Sequence, residues 1–211
     1  MRPDAVFWDM DGTLIDSEPL HDAALESVLK SLDIEPPADL HEKILGLSAR
    51  PVYDMLSARY AITLPFREWI GRKYAFYLHH APNLKPRPGA VEIFRALQEA
   101  GVPQAIVSNS DRLVVDANLR ATGLQEAAAI SVSRNDVREG KPEPEPFLRA
   151  AYLCGVEPSR CAVVEDSRTG AQAGLAAGMT TLFWPQLDLE APEGALYLSS
   201  PEEVRARLLR S

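Results

Sequence analysis

The 211-residue chain predicts an α/β protein built on an open, doubly wound parallel sheet, with a second, all-helical unit inserted early. Three observations carry this. Short apolar runs alternate with helical periodicities through the second half of the chain, glycines stand at the ends of those helices, and several apolar runs end in polar or acidic residues. Between the first such run and Pro86 the pattern is helical throughout.

The elements follow in order. Ala5 to Trp8 is a short apolar run ending at Asp9 and reads as a buried strand. Leu20, Ala24, Leu25, Val28, Leu29 and Leu32 recur at helical spacing, and Pro36-Pro37 is the expected stop. Val52 to Tyr60 and Phe66 to Leu78 are two further helical patterns. Past Pro86-Arg87-Pro88-Gly89 a helix through Val91, Phe94 and Leu97 leads by Gly101 to an apolar strand, Gln104 to Val107. A helix through Leu113 and Leu119 ends near Gly123, and Ala128 to Val132 reads as a strand. Pro146 to Cys154 is helical, Cys161 to Val164 a strand, the stretch to Gly178 a helix, and Thr180 to Phe183 a strand. Right-handed crossovers make this a doubly wound sheet. The expected division is residues 1–16 and 86–211 for the sheet-bearing core and 17–85 for the helical insertion, with the proline-rich stretch from Pro82 to Pro88 as one linker.

Composition bounds the function. Hydrophobic residues make up 46% and charged residues 25%, ordinary globular values, and the formal net charge is −8 with a pI near 5.1. Neither a basic excess nor a basic stripe is present, so no nucleic-acid partner is expected, nor an anionic membrane surface. The longest uncharged stretch, Thr169 to Leu187, is too polar to span a bilayer, and the amino-terminal residues resemble no secretory leader. Cys154 and Cys161 match no zinc or thioredoxin spacing and read as core thiols in a reducing cytoplasm. A monomer is the default expectation.

Ligands of open α/β sheets gather at the carboxyl ends of the strands. The polar residues there are Asp9 and Asp11, then Ser108, then Glu165 and Asp166, with Lys141 following the third strand in Gly140-Lys141-Pro142. Distant carboxylates, a hydroxyl and a lysine thus converge, which is a constellation for phosphoryl transfer. Asp9 and Asp11 are two apart, so in extended chain both side chains start on one side, and Gly12 lets the backbone turn sharply beside a ligand. Each pair of like charges near 4 Å costs about 4 kcal/mol at an effective dielectric of about 20, and one lysine does not offset several such pairs around a phosphate dianion. A divalent cation is therefore expected, and an all-oxygen donor set with phosphate points to Mg²⁺. One carboxylate can attack phosphorus, a second can protonate the leaving oxygen, and the hydroxyl and lysine can hold the equatorial oxygens.

These motifs, Asp9-Met10-Asp11-Gly12-Thr13, Ser108-Asn109, Gly140-Lys141-Pro142 and Val164-Glu165-Asp166-Ser167, resemble in order the four motifs of the haloacid dehalogenase superfamily. The resemblance covers nearly the whole chain. The helical insertion is similar to the cap of the branch that holds β-phosphoglucomutase and many sugar-phosphate phosphatases. The resemblance implies that Asp9 is the nucleophile and a metal ligand. It makes Asp11 the general acid/base, lending its backbone carbonyl to Mg²⁺, with Asp166 and Glu165 as further metal ligands. Ser108, Asn109 and Lys141, with the Gly12 turn, would bind phosphate. His21 falls where the branch carries a hinge histidine, and Arg50 follows the cap loop Leu45-Gly46-Leu47-Ser48-Ala49, where the mutase has an arginine directly after the serine. Because Asp11 is present, dehalogenation is disfavoured. The displaced Arg50 favours a phosphatase acting on a small phosphorylated metabolite over the alternative, a phosphosugar mutase. A receiver domain would be shorter and leaves the insertion unexplained. A phosphate-loop kinase would need a glycine-rich motif that Gly140-Lys141-Pro142 does not supply.

Overall fold

A computed structural model describes residues 2–209, apart from the side chain of Glu42; Met1, Arg210 and Ser211, at the ends of the expected core segments, lie outside it. In chain order the elements are β1 (Ala5–Trp8), α1 (Glu18–Lys30), α2 (Leu40–Ile44), α3 (Ala49–Tyr60), α4 (Phe66–His80), α5 (Ala90–Glu99), β2 (Gln104–Val107) and α6 (Arg112–Thr122). They continue with β3 (Ser131–Val132), α7 (Glu145–Cys154), β4 (Cys161–Glu165), α8 (Arg168–Ala176), β5 (Thr180–Phe183), β6 (Leu196–Tyr197) and α9 (Pro201–Leu209).

The six strands form one sheet in the order β3-β2-β1-β4-β5-β6, and every neighbouring pair is parallel. The chain winds outward from β1 through β2 to β3, then crosses back to β4 on the other side of β1. The β1/β4 boundary is therefore the switch point, and its carboxyl end is where such a sheet opens a crevice. Alternation along β1 serves two cores. Val6 and Trp8 face a cluster that includes Phe94 of α5, Val114 of α6 and Val204 of α9, whereas Ala5 and Phe7 face Phe147 of α7 and Ala173 of α8. Trp8 is held as packing: its indole donates to Gln104 Oε1 at 2.9 Å.

The helices between β1 and α5 carry a third cluster of their own, with Leu25, Val28 and Leu29 of α1, Val52 and Leu56 of α3 and Trp69 of α4. Burying each such side chain is worth about 1.5–3 kcal/mol, so these helices are held in good part by one another. Ala24 of α1 and Tyr77 of α4 instead join the sheet's first cluster and anchor the block to it. The chain leaves and re-enters the sheet side by side: Asp16 N–H donates to the Lys85 carbonyl at 3.0 Å, and Arg87 N–H donates to that of Leu14 at 2.9 Å.

Several elements depart from expectation. α1 stops at Lys30, well before the proline pair, because the chain turns through Asp33 at φ 57°. The strand expected over Ala128 to Val132 shrinks to Ser131–Val132, and α2, β6 and α9 were not anticipated.

Candidate active site

Asp9 leaves β1 with its N–H on the Val164 carbonyl at 2.9 Å, which fixes the nucleophile candidate beside the end of β4. The next residues turn tightly. The N–H groups of Thr13, Leu14 and Ile15 all donate to the Met10 carbonyl, and Gly12 takes φ 79°. A Cβ on Gly12 would lie 2.0 Å from Asp166 Oδ2, so only glycine lets the two loops meet.

Lys141 Nζ reaches into the crevice from the β3–α7 connection and spends its three protons there. They go to Asp9 Oδ1 at 2.6 Å, Glu165 Oε1 at 2.5 Å and the Val107 carbonyl at 2.7 Å. Ligating oxygens of Asp9, Glu165 and Asp166 all lie within 4.8 Å of one another, and all three residues are buried. Burial and the charge of Glu165 push the Asp9 carboxyl up to about 8 against the pull of Lys141. Burial and Asp9 likewise hold Asp166 well above the usual range. Desolvated, mutually repelling oxygens of this kind fit a hard divalent cation.

Asp11 behaves differently. Burial works to raise its carboxyl, but His21 and a ring of donors hold it well below the usual carboxylate range. Its Oδ1 faces Ser17 Oγ at 2.7 Å, His21 Nε2 at 3.1 Å and Asn118 Nδ2 at 2.9 Å. Its Oδ2 accepts from Ser110 Oγ at 2.8 Å and Ser108 Oγ at 3.3 Å. A cavity of about 80 Å³ lies between these groups and the helical block, lined on the block's side by Glu18, His21, Asp22, Lys73 and Tyr74 and by Gly46 and Leu47.

The family model of the haloacid dehalogenase-like hydrolases matches residues 3–178, the span holding every one of these side chains. The chain belongs to the haloacid dehalogenase-like hydrolases. It is 31% identical to hexitol phosphatase A of Escherichia coli over 182 residues, covering 84% of this chain and 81% of the relative. A bifunctional riboflavin kinase/FMN phosphatase of Arabidopsis thaliana is 29% identical over 204 residues, covering 96% of this chain and 53% of the relative, so the chain spans about half the length of that plant protein. Among solved structures, a haloacid dehalogenase family hydrolase from Deinococcus radiodurans R1 with bound phosphate and sodium superposes with a TM-score of 0.73. It shares 33% identity, covering 97% of this chain and 94% of that one.

In this haloacid dehalogenase-like hydrolase, Asp9, Asp11, Gly12, Ser108, Lys141, Glu165, Asp166 and His21 come together beyond the carboxyl ends of the strands, whereas Asn109 and Arg50 depart from expectation. The Asp11 carboxylate stands outside the three-carboxylate group, turned to its own donors, which agrees with a part in metal binding through its backbone carbonyl alone. Asn109 borders the cavity, but its side-chain amide is already engaged. It donates to the carbonyls of Gly46 and Lys141 at 3.0 Å each, and its oxygen accepts the Lys141 N–H at 2.9 Å. Asn109 thus fixes the lysine's backbone and ties the Gly46 loop to the core. Arg50 is not brought to the cavity; it lies on the exposed face of α3, paired with Asp54 at 2.9 Å and over the Phe66 ring.

Sequence reasoning missed Arg87, Ser110, Asn118 and Tyr77. Arg87 is buried and donates to the carbonyls of Gly12 at 2.9 Å, Trp184 at 2.7 Å and Pro185 at 3.1 Å, with its guanidinium stacked on Trp184. Its position in the proline-rich linker was the one available signal. No helix among the described residues is long and apolar enough to cross a membrane.

Proposed function

We propose that this hydrolase is a Mg²⁺-dependent phosphatase of a small phosphorylated metabolite of the sugar-phosphate kind, working through an aspartyl-phosphate on Asp9. The observation that carries the reading is Lys141 bridging Asp9 and Glu165 on the floor of a single small cavity that also holds Asp11 and Asp166. Asp9, Asp166 and Glu165 would hold the cation, with the Asp11 backbone carbonyl as a further donor, and the bound cation would supply charge neutralisation of the phosphate.

An Asp9 oxygen attacks phosphorus, the P–O bond to the leaving group breaks with its electron pair, and the leaving oxygen takes a proton through Asp11, which is ionised at rest and is supplied by the His21 imidazolium hydrogen-bonded to it. Water then attacks the phosphoryl group, gives its proton to Asp11, and the P–O bond to Asp9 breaks to free phosphate. Lys141 and Ser108 steady the equatorial oxygens through both steps.

The substrate class rests on the cavity wall. Glu18, His21 and Asp22 line it with groups suited to hydrogen-bonding hydroxyls, and Lys73 stands among carboxylates. With Arg50 paired elsewhere, support for a second phosphate site, which a mutase needs, is weak. The similarity to hexitol phosphatase A points the same way. We read residues 17–85 as the cap over a core of 1–16 and 86–211, supported by the block's own apolar cluster and its paired linkers. The protein is taken as a cytoplasmic monomer, consistent with its two free cysteines.

The test is phosphate release from a panel of sugar phosphates and nucleotides, with Mg²⁺ or EDTA. Release should require Mg²⁺ and fall by about a thousandfold or more in Asp9→Asn. Isomerised sugar phosphate without free phosphate would make the protein a mutase, and equal behaviour of wild type and Asp9→Asn would remove Asp9 from the chemistry.

A further inference from the structure

Asn118 is an amide with no exposed surface, set on α6 among Val114, Val115 and Leu119. A buried amide is costly unless both its ends are satisfied. Here both are. Its nitrogen donates to Asp11 Oδ1 at 2.9 Å, and its oxygen accepts the hydroxyl of Tyr77 at 2.9 Å. Tyr77 is equally buried and belongs to α4, in the inserted helical block. Neither residue lines the cavity. Tyr77 has a second contact with the same carboxylate's surroundings, because its ring lies 4.4 Å from that of His21, whose Nε2 also faces Asp11 Oδ1.

We propose that Tyr77 and Asn118 form a positioning relay for Asp11, through which the helical block sets the orientation of the general acid. The proposal rests on the reading of Asp11 as acid/base given above. The logic is directional. A flipped Asn118 would set its oxygen against the Asp11 carboxylate, acceptor against acceptor. The Tyr77 hydroxyl, which burial and the nearby Asp11 charge keep protonated, occupies the amide oxygen and so keeps the nitrogen toward Asp11. The same phenol ring supports His21 from below. Two of the three groups facing Asp11 Oδ1 are therefore held by one side chain of the inserted block, and lifting α4 away from α6 would release both.

A general acid matters in proportion to how much its leaving group needs a proton. This separates positioning from mere structural support. The experiment compares kcat/KM, with Mg²⁺, for an alkyl phosphate (the best sugar phosphate of the panel) and for p-nitrophenyl phosphate, whose phenolate departs without protonation. It uses the full chain as wild type, Tyr77→Phe, Asn118→Leu and the double variant, with Asp11→Asn as the benchmark. In Tyr77→Phe and Asn118→Leu, kcat/KM for the alkyl ester should fall about tenfold or more while that for the activated ester shifts less than about threefold. The double variant should be no worse than Asn118→Leu alone, since both act through one contact. It also replaces both buried partners by apolar groups, and so remains informative if a single variant with one unpaired group does not fold. Parallel loss on both esters, or an unchanged alkyl ester, overturns the relay. A wild-type protein inactive on both esters would overturn the phosphatase reading instead.

Discussion

A methyl group added at Gly170 would lie 1.9 Å from Glu165 Oε1. Glu165 has nowhere to retreat, since it is fully buried and held by Lys141 and by Ser167 Oγ at 3.1 Å. Alanine in the interior of a helix normally gains about 1 kcal/mol over glycine. Gly170→Ala on α8 is expected to do the reverse, lowering the melting temperature and weakening Mg²⁺ affinity by about 10- to 100-fold, the usual effect of disturbing what holds a metal ligand. Calorimetric titration of Mg²⁺ and a thermal melt check both; a variant with native affinity and a higher melting temperature would refute the close fit. At this scale the residues that were legible are those at strand ends, because the period of the apolar runs announces where a sheet delivers its side chains. Asn118 and Tyr77 were not, since their partnership spans 41 positions of sequence and an asparagine between apolar residues carries no sign of what it faces. Arg50 misled because an aspartate one helical turn onward, Asp54, competes for the same guanidinium.

Arg87 joins three segments: the linker that returns from α4, the Gly12 turn after β1 and the chain leaving β5. Its planar fork serves three carbonyls at once, which a lysine does not match. Arg87→Ala strands buried carbonyls and should destabilise the protein by about 2–3 kcal/mol in urea unfolding, with Arg87→Lys recovering only part. Full recovery by lysine would show that charge alone is what these segments need. The elements themselves were readable in proportion to their length. α4, α5 and α7 kept an apolar stripe, β1 and β5 were unbroken apolar or β-branched runs of four residues, and β2 had three apolar residues after Gln104. The two-residue strands β3 and β6 are too short to show alternation, and α9 fully buries only Val204 and Leu208 in a sequence where two glutamates and two arginines dominate.

Over the whole molecule the stored cost is electrostatic. Glu18, surrounded by Asp11, Asp22 and Asp9, is pushed by burial up to about 8, the level also reached by Asp9. A carboxyl held above its unfolded value takes up a proton on folding, so it costs stability as pH rises from the ordinary carboxylate range to about 8, and no more beyond. The metal-free protein should therefore melt lower at pH 8 than at pH 5.5, and Mg²⁺ should raise the melting temperature more at pH 8. Equal Mg²⁺ shifts at the two values would mean that these carboxyls are not what the cation relieves. The paired linkers carry a different consequence. Because Asp16 and Lys85 are hydrogen-bonded neighbours, the sheet sees everything between them as it would see a tight hairpin. A lineage could exchange that whole passage for another with equally close ends and leave strand order and registers untouched, provided the newcomer meets Asp11 again as Ser17, His21 and Tyr77 do, so inheritance can revise what is admitted while it keeps those few side chains.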